Sequence, residues 1–164
     1  MEIIWLGHSC FRLRAEESVV ITDPFPSSIG IKPDPRPATA VTISNTHPNH
    51  NNWEEVSGEP QIFKGPGEYE YSGVAVRGVM TPLAQGYDLT TRNTAFCIQL
   101  DGLNVCHLGD ISEALTSNEI DQLSPVDILL VPIGGGCTLD IERIHQIVQD
   151  LDPKVMIPMH YNIP

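Results

Sequence analysis

The sequence has few basic residues and no long hydrophobic run, and each shortage excludes a class of function. Nine lysines and arginines stand against 21 aspartates and glutamates, so the formal net charge of the 164 residues is −12. Such an acidic surface repels phosphate backbones and anionic lipids, so we expect neither nucleic-acid nor membrane partners. The longest uninterrupted apolar run, 128–133, has six residues, whereas a bilayer-spanning helix needs about 20.

Two further shortages concern the cellular compartment. The first residues, MEIIW, lack the basic start and long apolar stretch of a secretory signal. The four cysteines, Cys10, Cys97, Cys106 and Cys137, show no CxxC spacing. We expect them to be buried thiols rather than disulfides or zinc ligands, and we expect the protein to be cytoplasmic.

The composition that is present indicates a folded domain. Hydrophobic residues make up 41% of the chain and charged residues 18%, which is typical of a globular protein. A chain of this length forms one domain and buries a substantial core. We therefore expect residues 1–164 to fold as a single domain.

Short strands dominate the chain up to residue 107, and helices come later. Alternating or apolar runs bounded by turn residues predict strands at 2–6, 10–14, 18–22, 40–44, 61–64, 69–71, 74–79, 94–100, 103–107, 126–131 and 154–157. Thr116 and Glu119 form a capping box for a helix to about Leu123. Thr138 or Asp140 can cap a second helix, to about residue 151. The pattern predicts two packed β-sheets with helices outside, and a long loop at 23–40 that we expect to cover a site.

Candidate metal ligands follow three of the predicted strands. His47 and His50 lie three residues apart on one loop, Asp110 follows a glycine after the strand 103–107, and His160 follows the last strand. Each candidate has a simpler alternative. His47 and His50 could be solvated loop residues, and Asp110 could be a turn residue that caps the next segment. His160 could be an ordinary hydrogen-bonded histidine. The combination favours a metal site, because strands of one sheet tend to end along a common edge.

Five short motifs in order resemble the metallo-β-lactamase fold superfamily, specifically its small prokaryotic zinc-dependent hydrolases. They are WLGHSCF at 5–11, TDP at 22–24, GPGEY at 65–69, HLGD at 107–110 and IPMHY at 157–161. The resemblance covers essentially the whole chain. It implies an α/β (α+β) fold, the four-layer αββα sandwich, with a metal site at one edge of the sheets. Members usually continue past the last motif, so by the resemblance this chain is either a natural short form or lacks its C-terminal segment. In both cases we expect an exposed apolar patch, which could serve as a homo-oligomer interface.

The chain departs from the family at three of its seven metal ligands. The family signature is HxHxDH, and residues 45–50 are NTHPNH. Asn45 stands in place of the first histidine, Asn49 in place of the aspartate, and Leu83 in place of a later histidine. By the resemblance, four ligands are retained: His47, His50, Asp110 and His160.

The retained set implies at most one tightly held metal ion. One metal position keeps His50, Asp110 and His160, while the other keeps only His47 and Asp110. The resemblance therefore implies one zinc ion, with manganese or iron as alternatives, or no ion at all. Asp110 and His50 would be the catalytic residues of a hydrolase whose metal-bound hydroxide attacks an ester-type or phosphodiester-type substrate, a small molecule that the sequence does not identify.

A second function stays open beside the hydrolase. A relative that has lost three ligands could keep the fold and act as a silent binding or assembly module. The resemblance also places His8 near the site, where a hydrogen-bonded turn residue is the alternative. For Asp23, the alternatives are an orienting partner of a metal-binding histidine and a cap of the Pro24 turn.

Overall fold

The computed structural model describes residues 1–82, 92–134 and 139–161. In these ranges the chain forms eleven strands and two α-helices. The strands are β1 (Glu2–Gly7), β2 (Cys10–Ala15), β3 (Ser18–Thr22), β4 (Ala40–Ile43), β5 (Gln61–Lys64), β6 (Gly67–Tyr71), β7 (Val74–Met80), β8 (Thr94–Leu100), β9 (Leu103–His107), β10 (Ile128–Pro132) and β11 (Val155–Met159). The helices are α1 (Ser117–Leu123) and α2 (Ile141–Leu151), and two 3-10 turns lie at Ser27–Ile29 and Trp53–Glu55.

The strands form two sheets. The first sheet has the order β1-β2-β3-β4-β5, and the second has the order β11-β10-β9-β8-β7-β6. Strands β3, β4 and β5 run parallel, as do β9, β10 and β11. Parallel strands end at the same edge of their sheet, so the segments that follow β3, β4, β9 and β11 can meet at one end of the molecule.

Strand β11 runs two residues further than the sequence predicts. Pro158 suggests an end at residue 157, yet Val131 of β10 pairs with Pro158 and the strand continues to Met159. The reason is position: β11 lies at the edge of the sheet, where a proline does not remove a ladder hydrogen bond. The extra residues place His160 directly after the strand.

The main core lies between the two sheets. Alternate residues of β8 point to opposite faces, so Phe96 and Ile98 pack toward the first sheet while Ala95 and Cys97 pack toward the helices. The facing side chains from the first sheet include Phe11, which is fully buried. This face-to-face packing confirms the predicted sandwich.

The two α-helices cover the outer face of the second sheet. Leu123 of α1 and Ile144 and Ile147 of α2 are buried in the cluster that packs against this face. The predicted capping box is present in α1. Asp140 caps α2 by accepting a hydrogen bond from the Arg143 N–H.

The outer face of the first sheet is covered by the long loop and by the segment after β4. Phe25 and Trp53 pack there against Val41 and Ile43 of β4. Among the described residues, this fourth layer contains the two 3-10 turns and no α-helix. The loop at 23–40 thus packs mainly on the sheet, and its first residue, Asp23, is the one that turns toward the site described below.

The cysteines in the described ranges match the sequence prediction. Cys10, Cys97 and Cys106 are buried and not joined in disulfides. Burial raises the pKa of the Cys10 and Cys106 thiols well above the ordinary value, so these groups are inert. Cys137 lies outside the described residues. None of the described helices is long and apolar enough to cross a membrane.

Candidate metal centre

Three histidines and one aspartate meet where strands of both sheets end. His50 follows β4, Asp110 follows β9, His160 follows β11, and His8 lies in the turn between β1 and β2. The His160 Nε2 lies 3.7 Å from one Asp110 carboxylate oxygen, and the His50 Nε2 lies 3.9 Å from the other. One ligand atom each of His8, His50 and His160 lies within 4.8 Å of the others. The structure therefore brings together three of the four predicted ligands and adds His8.

His8 and His160 are held against each other through the backbone. The His160 N–H donates to the His8 carbonyl at 3.0 Å, and the Trp5 indole N–H donates to the same oxygen at 3.0 Å. Both histidines have positive φ, +52° and +55°, a conformation that is uncommon outside glycine. Their ring centroids are 4.2 Å apart in an edge contact. These contacts tie β11 to the first sheet at the site.

Asp23 orients His50. The fully buried Asp23 carboxylate accepts a hydrogen bond from the His50 Nδ1 at 2.7 Å, and it also accepts from the N–H and hydroxyl of Ser44. With its proton on Nδ1, the imidazole presents the Nε2 lone pair toward Asp110. A carboxylate behind the ring is the usual arrangement for a metal-binding histidine. Of the two alternatives for Asp23, the structure thus shows the contact with His50.

The electrostatics of the pair keep Asp23 ionised. Burial opposes the charge, but the electrostatic interactions with the His107 and His50 rings and the hydrogen bonds from His50 and Ser44 hold the pKa of Asp23 below its ordinary value. Burial likewise opposes a charge on His50, yet the Asp23 carboxylate raises the pKa of His50. Protons therefore compete for the His50 ring near neutral pH.

His8 and His160 stay neutral more readily. Burial, and then the charges of His50 and His160, lower the pKa of His8 to about 3. Burial is also the main cause that lowers the pKa of His160, although the Asp110 carboxylate opposes it. Neutral imidazole is the form that binds a metal, so both rings are ready for a cation at neutral pH.

A buried asparagine places Asp110. The Asp110 N–H donates to the Asn93 side-chain oxygen at 2.8 Å, and the Asn93 amide donates to the Leu108 carbonyl at 2.8 Å and to the Thr81 hydroxyl at 3.1 Å. Asn93 thus joins the end of β7 to the loop after β9. The sequence gives no signal for this role, because a polar side chain just before a strand carries no distinctive pattern.

Gly109 lets the loop pass close to its neighbours. Its φ is +63°, and a Cβ at this position would lie 2.3 Å from the Asn93 side-chain oxygen and 2.5 Å from the Ser44 Cβ. No side chain fits in that space. The glycine therefore allows Asp110 to leave the sheet and reach His50 and His160.

His107 plays a structural part. It is fully buried, its Nε2–H donates to the Ser9 carbonyl at 2.7 Å, and its Nδ1 accepts from the Gly109 N–H at 3.1 Å. Burial is the largest cause that lowers its pKa. Since both ring nitrogens are used, His107 faces the core while Asp110 faces the site.

His47 lies apart from the group of His8, His50 and His160. Its side chain is exposed, its Nδ1 accepts from the Asn49 N–H at 3.2 Å, and its ring centroid is 6.2 Å from that of His50. Asn45, in place of the first signature histidine, accepts from the His47 N–H at 2.9 Å and so shapes the loop. Leu83 lies outside the described residues.

The donor set fits a divalent metal ion. Imidazole nitrogens and a carboxylate are the ligands of zinc, manganese and iron sites. The His8 Nδ1 is buried without a hydrogen-bond partner among the described groups, and His50 is oriented from behind by Asp23. The resemblance places His8 near the site with a turn residue as the alternative, and the signal in the sequence is its position in the tight Gly7-His8-Ser9 turn.

Comparison with known proteins agrees with this geometry. Residues 2–160 match the family model of the beta-lactamase superfamily domain. A metal-dependent hydrolase of Thermoplasma acidophilum is 26% identical, with 99% of this chain and 84% of that protein covered. A metal-dependent hydrolase of Archaeoglobus fulgidus is 28% identical, with the same shares of 99% and 84%.

A solved structure is similar over nearly the full length. The protein, from Thermotoga maritima, is described as a candidate zinc-dependent hydrolase of the metallo-β-lactamase superfamily and is 35% identical. The TM-score is 0.79, and the alignment covers 98% of this chain and 75% of that one. With the sandwich fold and the histidine cluster, these matches show that the chain belongs to the metallo-β-lactamase superfamily.

Proposed function

We propose that the protein is a metal-dependent hydrolase in which His50, Asp110 and His160 hold one divalent metal ion. The observation that carries this proposal is the approach of the His50 and His160 Nε2 atoms to the two carboxylate oxygens of Asp110, at 3.9 and 3.7 Å. The names of the similar proteins, metal-dependent hydrolases, support the same reaction class.

The chain's own residues prepare the site for hydrolysis. Asp23 fixes the His50 ring and keeps its Nε2 free, Asn93 holds the backbone of Asp110, and the His8 carbonyl anchors His160. A bound divalent cation supplies Lewis acidity, which lowers the pKa of a coordinated water to about 7. Zinc suits this set of nitrogen and oxygen ligands, with manganese and iron as alternatives. His50 and Asp110 would touch the ion that activates the water, which is why we assign them the catalytic roles.

The loop at 45–50 supports a single tight ion. A second cation would need an anionic ligand to offset the repulsion between two metals, and Asn49 carries no charge. Asn45 already uses its oxygen for the His47 N–H. His47, exposed on the same loop, is left to bind a second ion loosely or to assist the reaction.

The proposed substrate class rests on the reaction that an activated water can perform, and not on the shape of a substrate pocket. Activated water attacks esters and phosphodiesters, so we propose a small ester-type or phosphodiester-type substrate. The net charge of −12 disfavours a nucleic-acid substrate, because its phosphates would be repelled.

A catalytically silent binding module is the second candidate. Asn45 and Asn49, at two positions where the family has ligands, favour it. A metal analysis separates the two candidates. Protein purified without chelator, and then dialysed against zinc, manganese or iron, is expected to retain about one ion per chain by elemental analysis. No retained metal would support the silent module.

The matched variants are His160→Ala and His145→Ala. His145 is exposed on α2 and is not one of the clustered histidines. We expect the first variant to lose the ion and the hydrolysis of p-nitrophenyl esters or bis(p-nitrophenyl) phosphate, and the second to keep both. Equal metal retention by the two variants would contradict the assigned site.

A further inference from the structure

We infer that His8 is a direct ligand of the metal ion, and that it supplies the imidazole missing from the altered signature loop. This inference rests on the proposed function, because it assumes that the cluster binds a metal. It adds a residue that the family resemblance does not count among the seven ligands.

The first support is geometry. A ligand atom of His8 lies within 4.8 Å of ligand atoms of both His50 and His160. The His8 ring centroid is 4.8 Å from that of His50 and 4.2 Å from that of His160. A cation bound by the other two histidines is therefore within a small movement of the third ring.

The second support is an unpartnered nitrogen. His8 is only 4% exposed, and its buried Nδ1 has no hydrogen-bond partner among the described groups. A buried polar atom without a partner costs free energy, and the histidines His50 and His107 both show the usual solution of a hydrogen bond. A metal ion at the cluster gives His8 a bonding role of its own.

The third support is that His8 is held where it stands. Its carbonyl accepts hydrogen bonds from the His160 N–H and from the Trp5 indole. The left-handed backbone at φ +52° is uncommon and costs free energy for a residue other than glycine. Strain kept in this way is typical of functional sites.

The fourth support is the chemistry of the altered loop. Asn45 cannot replace a histidine ligand in the observed conformation, because its oxygen accepts from the His47 N–H and its amide donates to the Ser44 hydroxyl. His8 brings the nitrogen count to three, and Asp110 adds one negative charge. Zinc accepts three imidazoles and one carboxylate, and an expanded five-coordinate site would still leave a position for the water that hydrolysis needs.

The test compares His8→Asn with His145→Asn in the full chain. Asparagine tolerates positive φ but has no imidazole, and His145 is an exposed histidine outside the cluster. Zinc affinity is measured by competition with a chromophoric chelator, and circular dichroism checks the fold. We expect His8→Asn to weaken zinc binding by more than about 100-fold, beyond the roughly 10- to 100-fold typical of an outer hydrogen-bond partner. His145→Asn should leave the affinity unchanged.

Two readouts distinguish ligation from a structural role. Cobalt(II) bound to the wild type should give visible bands whose position and intensity change in His8→Asn and are restored when free imidazole is added. If the variant does not fold, the wild type labelled with ¹⁵N-histidine is titrated with zinc and followed by NMR. If His8 binds the metal, its ring signals must shift together with those of His50 and His160.

The outcomes separate this inference from the proposed function. Unchanged zinc affinity and cobalt bands in folded His8→Asn, or unshifted His8 ring signals, would overturn the inference and leave the hydrolase proposal intact. Absence of zinc binding by the wild type would overturn both.

Discussion

Single side chains decide whether the cluster can bind a cation, and Asp23 is the clearest case. Among the candidate ligands, the Asp23 carboxylate forms a hydrogen bond with His50. This hydrogen bond determines which nitrogen of the His50 ring carries the proton. Asp23 would thus act as a positioning residue, through the imidazole rather than on the metal.

Asp23→Asn tests this role. The amide keeps the size of the side chain but removes the charge that favours the Nδ1 proton, so we expect zinc affinity to fall by about 10- to 100-fold. The pKa of His50 should also fall, because the Asp23 carboxylate raises it. Competition titration and NMR of the histidine rings measure the two effects. Asp121→Asn, an exposed change on α1, is the control, and an equal loss of affinity there would refute the role.

His107 gives a prediction about pH. In the folded protein its pKa is lowered, mainly by burial, and its Nδ1 must stay unprotonated to accept from the Gly109 N–H. Below the unfolded pKa of about 6.5, the unfolded chain binds a proton that the folded chain rejects. The free energy of unfolding should therefore fall as the pH drops below about 6.5.

Urea denaturation of metal-free protein between pH 4 and 8 measures this dependence. In His107→Gln, the free energy of unfolding should depend less steeply on pH in the acid range. The decrease in slope should correspond to a difference of up to about one bound proton between the unfolded and folded states. A variant slope that equals that of the wild type would show that His107 is not responsible.

At the scale of elements, the loop between β9 and α1 depends on a close approach. Gly109 lies against Asn93 and Ser44 with no room for a Cβ, and the next residue, Asp110, is the proposed carboxylate ligand. Three segments therefore meet at one point: the end of β9, the end of β4 and the residues before β8. Because they meet there, Asp110 lies close to residues from both sheets.

Gly109→Ala should be destabilising by about 1–3 kcal/mol through overpacking, in addition to the strain at positive φ. Gly102→Ala is a matched control, because Gly102 has φ +71° and nothing within 4 Å of the added Cβ. Chemical denaturation compares the two variants, and zinc titration should show weaker binding only for Gly109→Ala. Equal stability losses would mean that the close contact has no energetic consequence.

At the scale of the whole molecule, the altered signature predicts the metal count. Asn45→His, Asn49→Asp and Leu83→His together restore the family ligands, so we expect the stoichiometry to rise from about one ion to about two. Elemental analysis and turnover of a phosphodiester substrate measure the gain. The same three changes in a His160→Ala background serve as the control, and no gain in the first protein would mean that the scaffold does not accept a second ion.

The oligomeric state also belongs to this scale. Val155 and Met156 on the edge strand β11 are 49% and 47% exposed, which agrees with the expected apolar patch. Sedimentation of the purified chain would measure the oligomeric state.

Much of the architecture follows from local sequence patterns. The strands at 18–22, 94–100 and 103–107 match their predicted bounds, because alternation and the Asp101-Gly102 turn are local signals. The α1 cap is equally local. The end of β11 and the start of β10 each differ by two residues from the predicted bounds, because strand limits depend on which neighbours supply hydrogen bonds.

For the candidate site as well, some features follow from the sequence and others only from the tertiary structure. The residue types at 50, 110 and 160, and the asparagines at 45 and 49, are properties of the sequence, and they are sufficient to predict a metal site with few ligands. Only the tertiary structure decided that His8 joins the cluster, that His47 lies outside it, and that Asp23 and Asn93 support it. The reason is physical: these contacts join residues up to 152 positions apart in the chain, as between His8 and His160, and a local pattern carries no information about which strand ends meet.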